Sequence, residues 1–105
     1  MSLFSSLFGS SSSPKVNLGS LIEAGAMVVD VRSEYEFAQG HLNNSTNIPL
    51  DRLPDELSKI DTAKPVIVCC ATGMRSAQAK RYLKANEFAE VYNGGGWLDL
   101  QKYDK

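Results

Sequence analysis

Two apolar runs constrain this chain more than any other feature: residues 26–31, apolar apart from Asp30, and Val66-Ile67-Val68-Cys69. A strand with one wet face alternates apolar and polar side chains. A run without alternation fits a strand covered on both faces, as in a parallel sheet. The pattern between these runs turns helical. Leu18, Leu21 and Ile22 stand at i, i+3 and i+4, predicting a short helix that ends at Gly25. Ser33 and Glu36 have capping-box spacing, with Gly40 as a stop. Residues 46–48 form a candidate short strand before Pro49. Asp51 is placed to cap a helix with Leu53, Leu57 and Ile60 as its buried stripe, Pro54 being tolerable only in its first turn. Residues 74–85 predict another helix, with Ala79, Tyr82 and Leu83 at core spacing. Residues 89–92 read as a last strand, closed by Gly94-Gly95-Gly96, and Leu98 and Leu100 fall in a short terminal segment. Strands alternating with helices predict an α/β fold around a parallel sheet. Sites in such sheets form at the carboxyl ends of the strands. Two strand ends stand out: Asp30-Val31-Arg32 and Cys69-Cys70.

A chain of 105 residues accommodates one domain, with enough core to stand without metal or disulfide. Residues 9–14 read Gly-Ser-Ser-Ser-Ser-Pro, a linker composition. Residues 1–14 are therefore expected to be a flexible tail and residues 15–105 the domain. Leu3, Phe4, Leu7 and Phe8 share one helical face, which suits a tail packed on the domain or a weak anchor. The first residues lack the basic and long apolar regions of a secretory signal, and no segment is long enough to span a bilayer. A formal net charge of -1 gives no electrostatic footprint for nucleic acid or an acidic membrane. The two cysteines are adjacent and His41 is the single histidine, too few ligands for a tetrahedral metal site. Neighbouring strand residues face opposite ways, so a Cys69–Cys70 bridge is disfavoured. Free thiols fit a reducing compartment, and a cytoplasmic location is expected.

The segment Cys70-Ala71-Thr72-Gly73-Met74-Arg75-Ser76 leaves a buried strand and opens a helix. A cysteine there sits near free backbone N–H groups, faces the positive end of a helix and has Arg75 close by. Each of these favours the thiolate, the reactive form of a thiol whose ordinary pKa is about 8.5. Gly73 lets the loop turn with positive φ, and Ser76 can cap the helix or donate to the sulfur.

This Cys-x-x-Gly-x-Arg-Ser loop after a strand resembles the active-site loop of the rhodanese family. Val29-Asp30-Val31-Arg32 with Glu34, Glu36 and Phe37 resembles that family's D-V-R-x-x-x-E-F element. Gly40-His41-Leu42, Asn47-Ile48-Pro49-Leu50 and Gly94-Gly95-Gly96-Trp97 resemble further segments in the family's order. The resemblance implies a rhodanese-like, five-stranded, mostly parallel sheet with helices on both faces. It also implies a sulfurtransferase in which Cys70 takes sulfane sulfur as a covalent persulfide and passes it on, without any other cofactor. The donor is then thiosulfate or a persulfide, and the acceptor cyanide, a small thiol or a protein thiol. Residues 71–76 would bind the persulfide, and Asp30 and Arg32 would support the loop. The Ala71, Thr72 and Met74 positions add no cation for an anionic donor, and an apolar Met74 suits an organic or protein persulfide. Two other functions use the same residues: a sulfur carrier or partner-binding module with little turnover, and a phosphatase or arsenate-reductase-like enzyme. Four residues separate Cys70 from Arg75, one fewer than in the Cys-x5-Arg loop of cysteine phosphatases.

Other residues carry quieter readings. Cys69 is expected in the core, with a resolving thiol as the alternative. Arg75 either serves the site or pairs with Asp30, whose burial demands a cation or N–H donors. Arg32 lines the mouth of the site or pairs with Glu34 or Glu36. His41 suits a structural hydrogen bond in the Gly40 turn. The three glycines suit a turn that passes close to the active loop, and Trp97 a core position.

Overall fold

The computed structural model describes residues 16–104, so the expectations for the N-terminal tail lie outside the described residues. Asn17 accepts a hydrogen bond from the Ser20 N–H at 3.1 Å and caps α1 (Leu18–Glu23). Leu18, Leu21 and Ile22 then pack as one stripe against the sheet. Past the left-handed Gly25, β1 (Met27–Asp30) buries three of its four residues. The Ser33 capping box starts α2 (Glu34–Gln39): Ser33 Oγ accepts from the Glu36 N–H at 3.2 Å, and Glu36 Oε1 accepts from the Ser33 N–H at 3.1 Å. Such a box satisfies two helix-end donors at once. Strand β2 (Ser45–Asn47) follows, then β3 (Val66–Cys70), buried along its whole length. Helix α3 (Met74–Ala85) turns Ala79 and Leu83 inward, and β4 (Val91–Gly96) closes the sheet.

The strands lie in the order β2-β1-β3-β4, every pair parallel. One face packs Val29, Val68 and Val91 against Leu53, Ile60, Ala79 and Leu83. The other packs Val28 and Ile67 against α1, Leu42 and Leu100. Side chains of successive strand residues alternate between these layers, so Cys70 belongs to the first and Cys69 to the second. Among the described residues no helix is long and apolar enough to cross a membrane.

Three expectations need correction. The sheet has four strands among the described residues, not five. Only the family resemblance implied the fifth, and no apolar run supports it. The described residues before α1 are Val16 and Asn17, and Asn17 serves as the helix cap. The expected helix after Asp51 is two 3-10 turns, Leu50–Asp55 and Leu57–Lys59, with no side-chain cap. Pro54 cannot donate in an α-helix, and the bonds run i to i+3 instead, from the Glu56 N–H to Leu53 O at 3.1 Å. The buried stripe survives: Leu53 and Ile60 are buried and Leu57 packs beside them. Finally, the glycines do not close β4 but continue it, with Cys69 facing Gly95 and Cys70 facing Gly96.

Candidate active site

The strand order reverses at β1 and β3, and their carboxyl ends bring Asp30 and Cys70 to one edge of the sheet. A ligand crevice is expected at such a switch point. Cys70 ends β3, and the chain turns through Gly73 into α3. Gly73 has φ +104°, and a Cβ there would lie 3.3 Å from the Gly95 Cα. A side chain would be strained by the backbone and crowded by β4. The turn aims the Gly73 N–H at Cys70 Sγ, at 3.0 Å. The Ser76 N–H points at the same sulfur at 3.4 Å, and Ser76 Oγ stands 3.4 Å from it. Burial pushes the Cys70 thiol up, but hydrogen bonds from Ser76, Gly73 and Thr72 outweigh it, and the net displacement is downward. A cradle of fixed N–H dipoles stabilises negative charge on sulfur and on whatever sulfur carries.

Cys69 is fully buried on the opposite face. Burial, with the Asp30 charge adding to it, pushes its thiol up to about 12. It packs in the core layer opposite Cys70. The chain thus has two free cysteines with opposite electrostatics one residue apart.

The cations pair differently from the sequence expectation. Asp30 binds Arg32, not Arg75: Arg32 Nη2 donates to Asp30 Oδ2 at 2.7 Å, and Arg32 Nε lies 3.0 Å from both carboxylate oxygens. The Arg32 head also donates to Gly40 O at 2.7 Å and stacks 4.6 Å above the Trp97 ring. Arg32 is therefore an internal brace, buried with Asp30. Arg75 instead forms a two-pronged pair with Glu36, at 2.7 and 3.0 Å. That pair and the Ser33 N–H hold the Glu36 carboxyl down at about 2. Glu34, the other expected partner of Arg32, bonds Arg52 at 2.8 Å on the surface. A residue two positions after Asp30 can fold back over it, as Arg32 does, whereas Arg75 in the first turn of α3 meets Glu36 of α2.

Arg75 lines a cleft of about 570 Å³ together with Val31, Ser33, Glu34, Leu50 and Arg52. Cys70 does not line it, and Met74, 75% exposed, stands on the outer rim of the loop. His41 Nδ1 lies 2.7 Å from Phe37 O, and its ring stacks on Phe37 at 3.7 Å, a structural use as expected. Trp97 is half-buried beneath Arg32. The glycines do run beside the loop: a Cβ on Gly96 would lie 2.7 Å from Ala71 O. Sequence reasoning missed Asn93. Its Nδ2 donates to Gly73 O at 3.1 Å, and its Oδ1 accepts from Ser76 Oγ at 2.6 Å. Its position just before the glycines was the available signal.

Fold and site together define a class: parallel α/β domains that present a strand-end cysteine in a backbone cradle at the start of a helix. Residues 16–102 match the Rhodanese-like domain, and the chain belongs to that family. It is 38% identical over 80 residues to thiosulfate sulfurtransferase GlpE of Stutzerimonas stutzeri strain A1501, covering 76% of this chain and 73% of that protein. The structure of reduced Bacillus anthracis CoADR-RHD is similar with a TM-score of 0.70 and 34% identity over 80% of this chain, which spans only 15% of that longer protein. The human single-domain sulfurtransferase TSTD1 gives a TM-score of 0.66 at 28% identity, covering 78% of this chain and 89% of that one.

Proposed function

We propose that this chain is a sulfurtransferase carrying sulfane sulfur on Cys70. The observation that carries this reading is the convergence of the Gly73 and Ser76 N–H groups on one sulfur whose thiol is displaced downward. With thiosulfate, the Cys70 thiolate attacks the outer sulfur. The new S–S bond forms as the bond to the sulfite sulfur breaks, and sulfite leaves with that electron pair. The persulfide anion then takes the place of the thiolate in the cradle. An acceptor such as cyanide attacks the terminal sulfur, leaves as thiocyanate and returns the thiolate. Two half-reactions through a covalent carrier give ping-pong kinetics. No other cofactor enters.

The relatives named as thiosulfate sulfurtransferases support the class of reaction. The surroundings of the loop argue for a donor other than thiosulfate. Arg75 is tied up by Glu36, and Ala71, Thr72 and Met74 add no positive charge. A small organic or protein persulfide is the better donor, and a thiol in a reducing, cytoplasmic setting the better acceptor. Intact mass after incubation with thiosulfate or with an organic persulfide tests the reading. A gain of one sulfur atom, removed by cyanide and absent in Cys70→Ser, is expected. No gain with either donor would falsify it.

A further inference from the structure

Ser76 touches two partners that compete for its one proton. Its Oγ lies 2.6 Å from Asn93 Oδ1 and 3.4 Å from Cys70 Sγ. The Asn93 amide has a defined orientation. Gly95 N–H can only donate, and it reaches Oδ1 at 2.9 Å. Gly73 O can only accept, and Nδ2 reaches it at 3.1 Å. Oδ1 therefore faces Ser76 as an acceptor, and at 2.6 Å the Ser76 hydroxyl must be the donor. A hydroxyl has one proton, so towards sulfur Ser76 Oγ then offers a lone pair. That suits a Cys70 S–H, which can donate to it. It opposes a Cys70 thiolate, which needs the same proton itself.

We propose that Asn93 is a positioning residue that sets the direction of the Ser76 hydroxyl and thereby the balance between thiol and thiolate at Cys70. With the thiol, the proton chain runs from Cys70 to Ser76 to Asn93. On ionisation the hydroxyl rotates, donates to the sulfur and leaves Asn93 Oδ1 with the Gly95 N–H alone. Asn93 can face the loop because β4 carries one extra residue here: Val68 is opposite Asn93, but Cys69 is opposite Gly95. A bulge of this kind re-aims a side chain beside a site. The charged and titratable groups around the sulfur are Arg75, neutralised by Glu36, the Asp30–Arg32 pair at the end of β1, and Cys69 on the far face. Strand β4 carries one titratable side chain, Tyr92, which packs with the Cys69 layer on the far face, so the Asn93 amide is its polar side chain at the loop.

This inference rests on Cys70 as the reactive sulfur but not on sulfur transfer, so its test uses alkylation. The rate of iodoacetamide reaction at Cys70, followed by peptide mass against pH, gives the midpoint of ionisation in the full chain. Removing the competing acceptor in Asn93→Ala frees the Ser76 proton, and the midpoint is expected to fall by roughly half a pH unit. In a Ser76→Ala background the same substitution is expected to leave the midpoint unmoved. Asn93→Asp keeps the shape and brings a negative charge, and its midpoint is expected to rise by about one unit or more. A midpoint that rises or stays put in Asn93→Ala, or a fall that persists without Ser76, overturns the proposal. If Asn93→Ala does not fold by near-ultraviolet circular dichroism, Asn93→Asp is compared with and without Ser76: a rise that shrinks in the Ser76→Ala background supports the proposal, and a rise of equal size in both backgrounds, or no rise, overturns it. Failure here with sulfur still gained from a donor leaves the transfer reading intact, and the reverse pattern separates the two.

Discussion

Glu36 does two jobs with one carboxylate: it closes the capping box of α2 and clamps Arg75 on α3. The Arg75 hydrogen bonds are the larger cause of its lowered pKa, from 4.5 to about 2, followed by the Ser33 N–H. A carboxyl lowered on folding stabilises the native state above its unfolded pKa and loses that contribution as pH falls through the folded one. The pair is one-third exposed, so solvent screening holds its contribution to about 1 kcal/mol. Glu36→Gln is therefore expected to lose about that much in urea unfolding at pH 7. The gap should narrow below pH 4.5 and close near pH 2. A gap of equal size at pH 7 and pH 2 would assign the loss to shape instead of charge. The capping half of this residue was legible from Ser33 and Glu36 standing three apart. The Arg75 half was not, because it depends on how α2 and α3 are set against each other across the sheet edge.

Single elements differ in how far their residues announce them. Helix α3 was legible to its ends, since Gly73 precedes it and Ala79 and Leu83 keep one face apolar. Strand β4 was half legible: Val91 and Tyr92 read as strand, whereas glycines ordinarily weaken a strand. They continue the ladder here because the loop backbone comes too close for side chains. The Cβ positions of Gly96 and Gly73 would meet Ala71 O at 2.7 Å and Gly95 Cα at 3.3 Å. Gly73→Ala joins that crowding to a φ of +104°, and a cost of roughly 1–3 kcal/mol in urea unfolding is expected. The same substitution pulls the Gly73 N–H off Cys70 Sγ, so alkylation of Cys70 by iodoacetamide at pH 7 should also slow. Slower alkylation without any loss of stability would place the effect in the cradle alone, and lost stability with unchanged alkylation would detach Gly73 from the sulfur.

Across the whole molecule, the alternation of covered strands and helices was enough to specify the class and the edge where Cys70 lies. It was not enough to specify which charges meet there. Asp30 sits at 0% exposure with Arg32 folded over it. Arg32 in turn ties the end of β1 to Gly40 and to Trp97, where the terminal 3-10 segment begins. One buried ion pair thus joins parts of the chain far apart in sequence. Removing one member leaves the other as an uncompensated buried charge, which costs about 3–5 kcal/mol. Domains of this size have only about 5–15 kcal/mol in total. Asp30→Ala is accordingly expected to lower the urea midpoint steeply, or to abolish cooperative unfolding. The control is a double variant, Asp30→Ala with Arg32→Met, in which no buried charge is left and a long apolar stem still covers Trp97. If the unpaired guanidinium is the cause, the double variant recovers part of the lost stability. If it is no more stable than Asp30→Ala, the brace works through the hydrogen bonds from Arg32 to Gly40 and Glu36, and the carboxylate serves to aim the guanidinium at them.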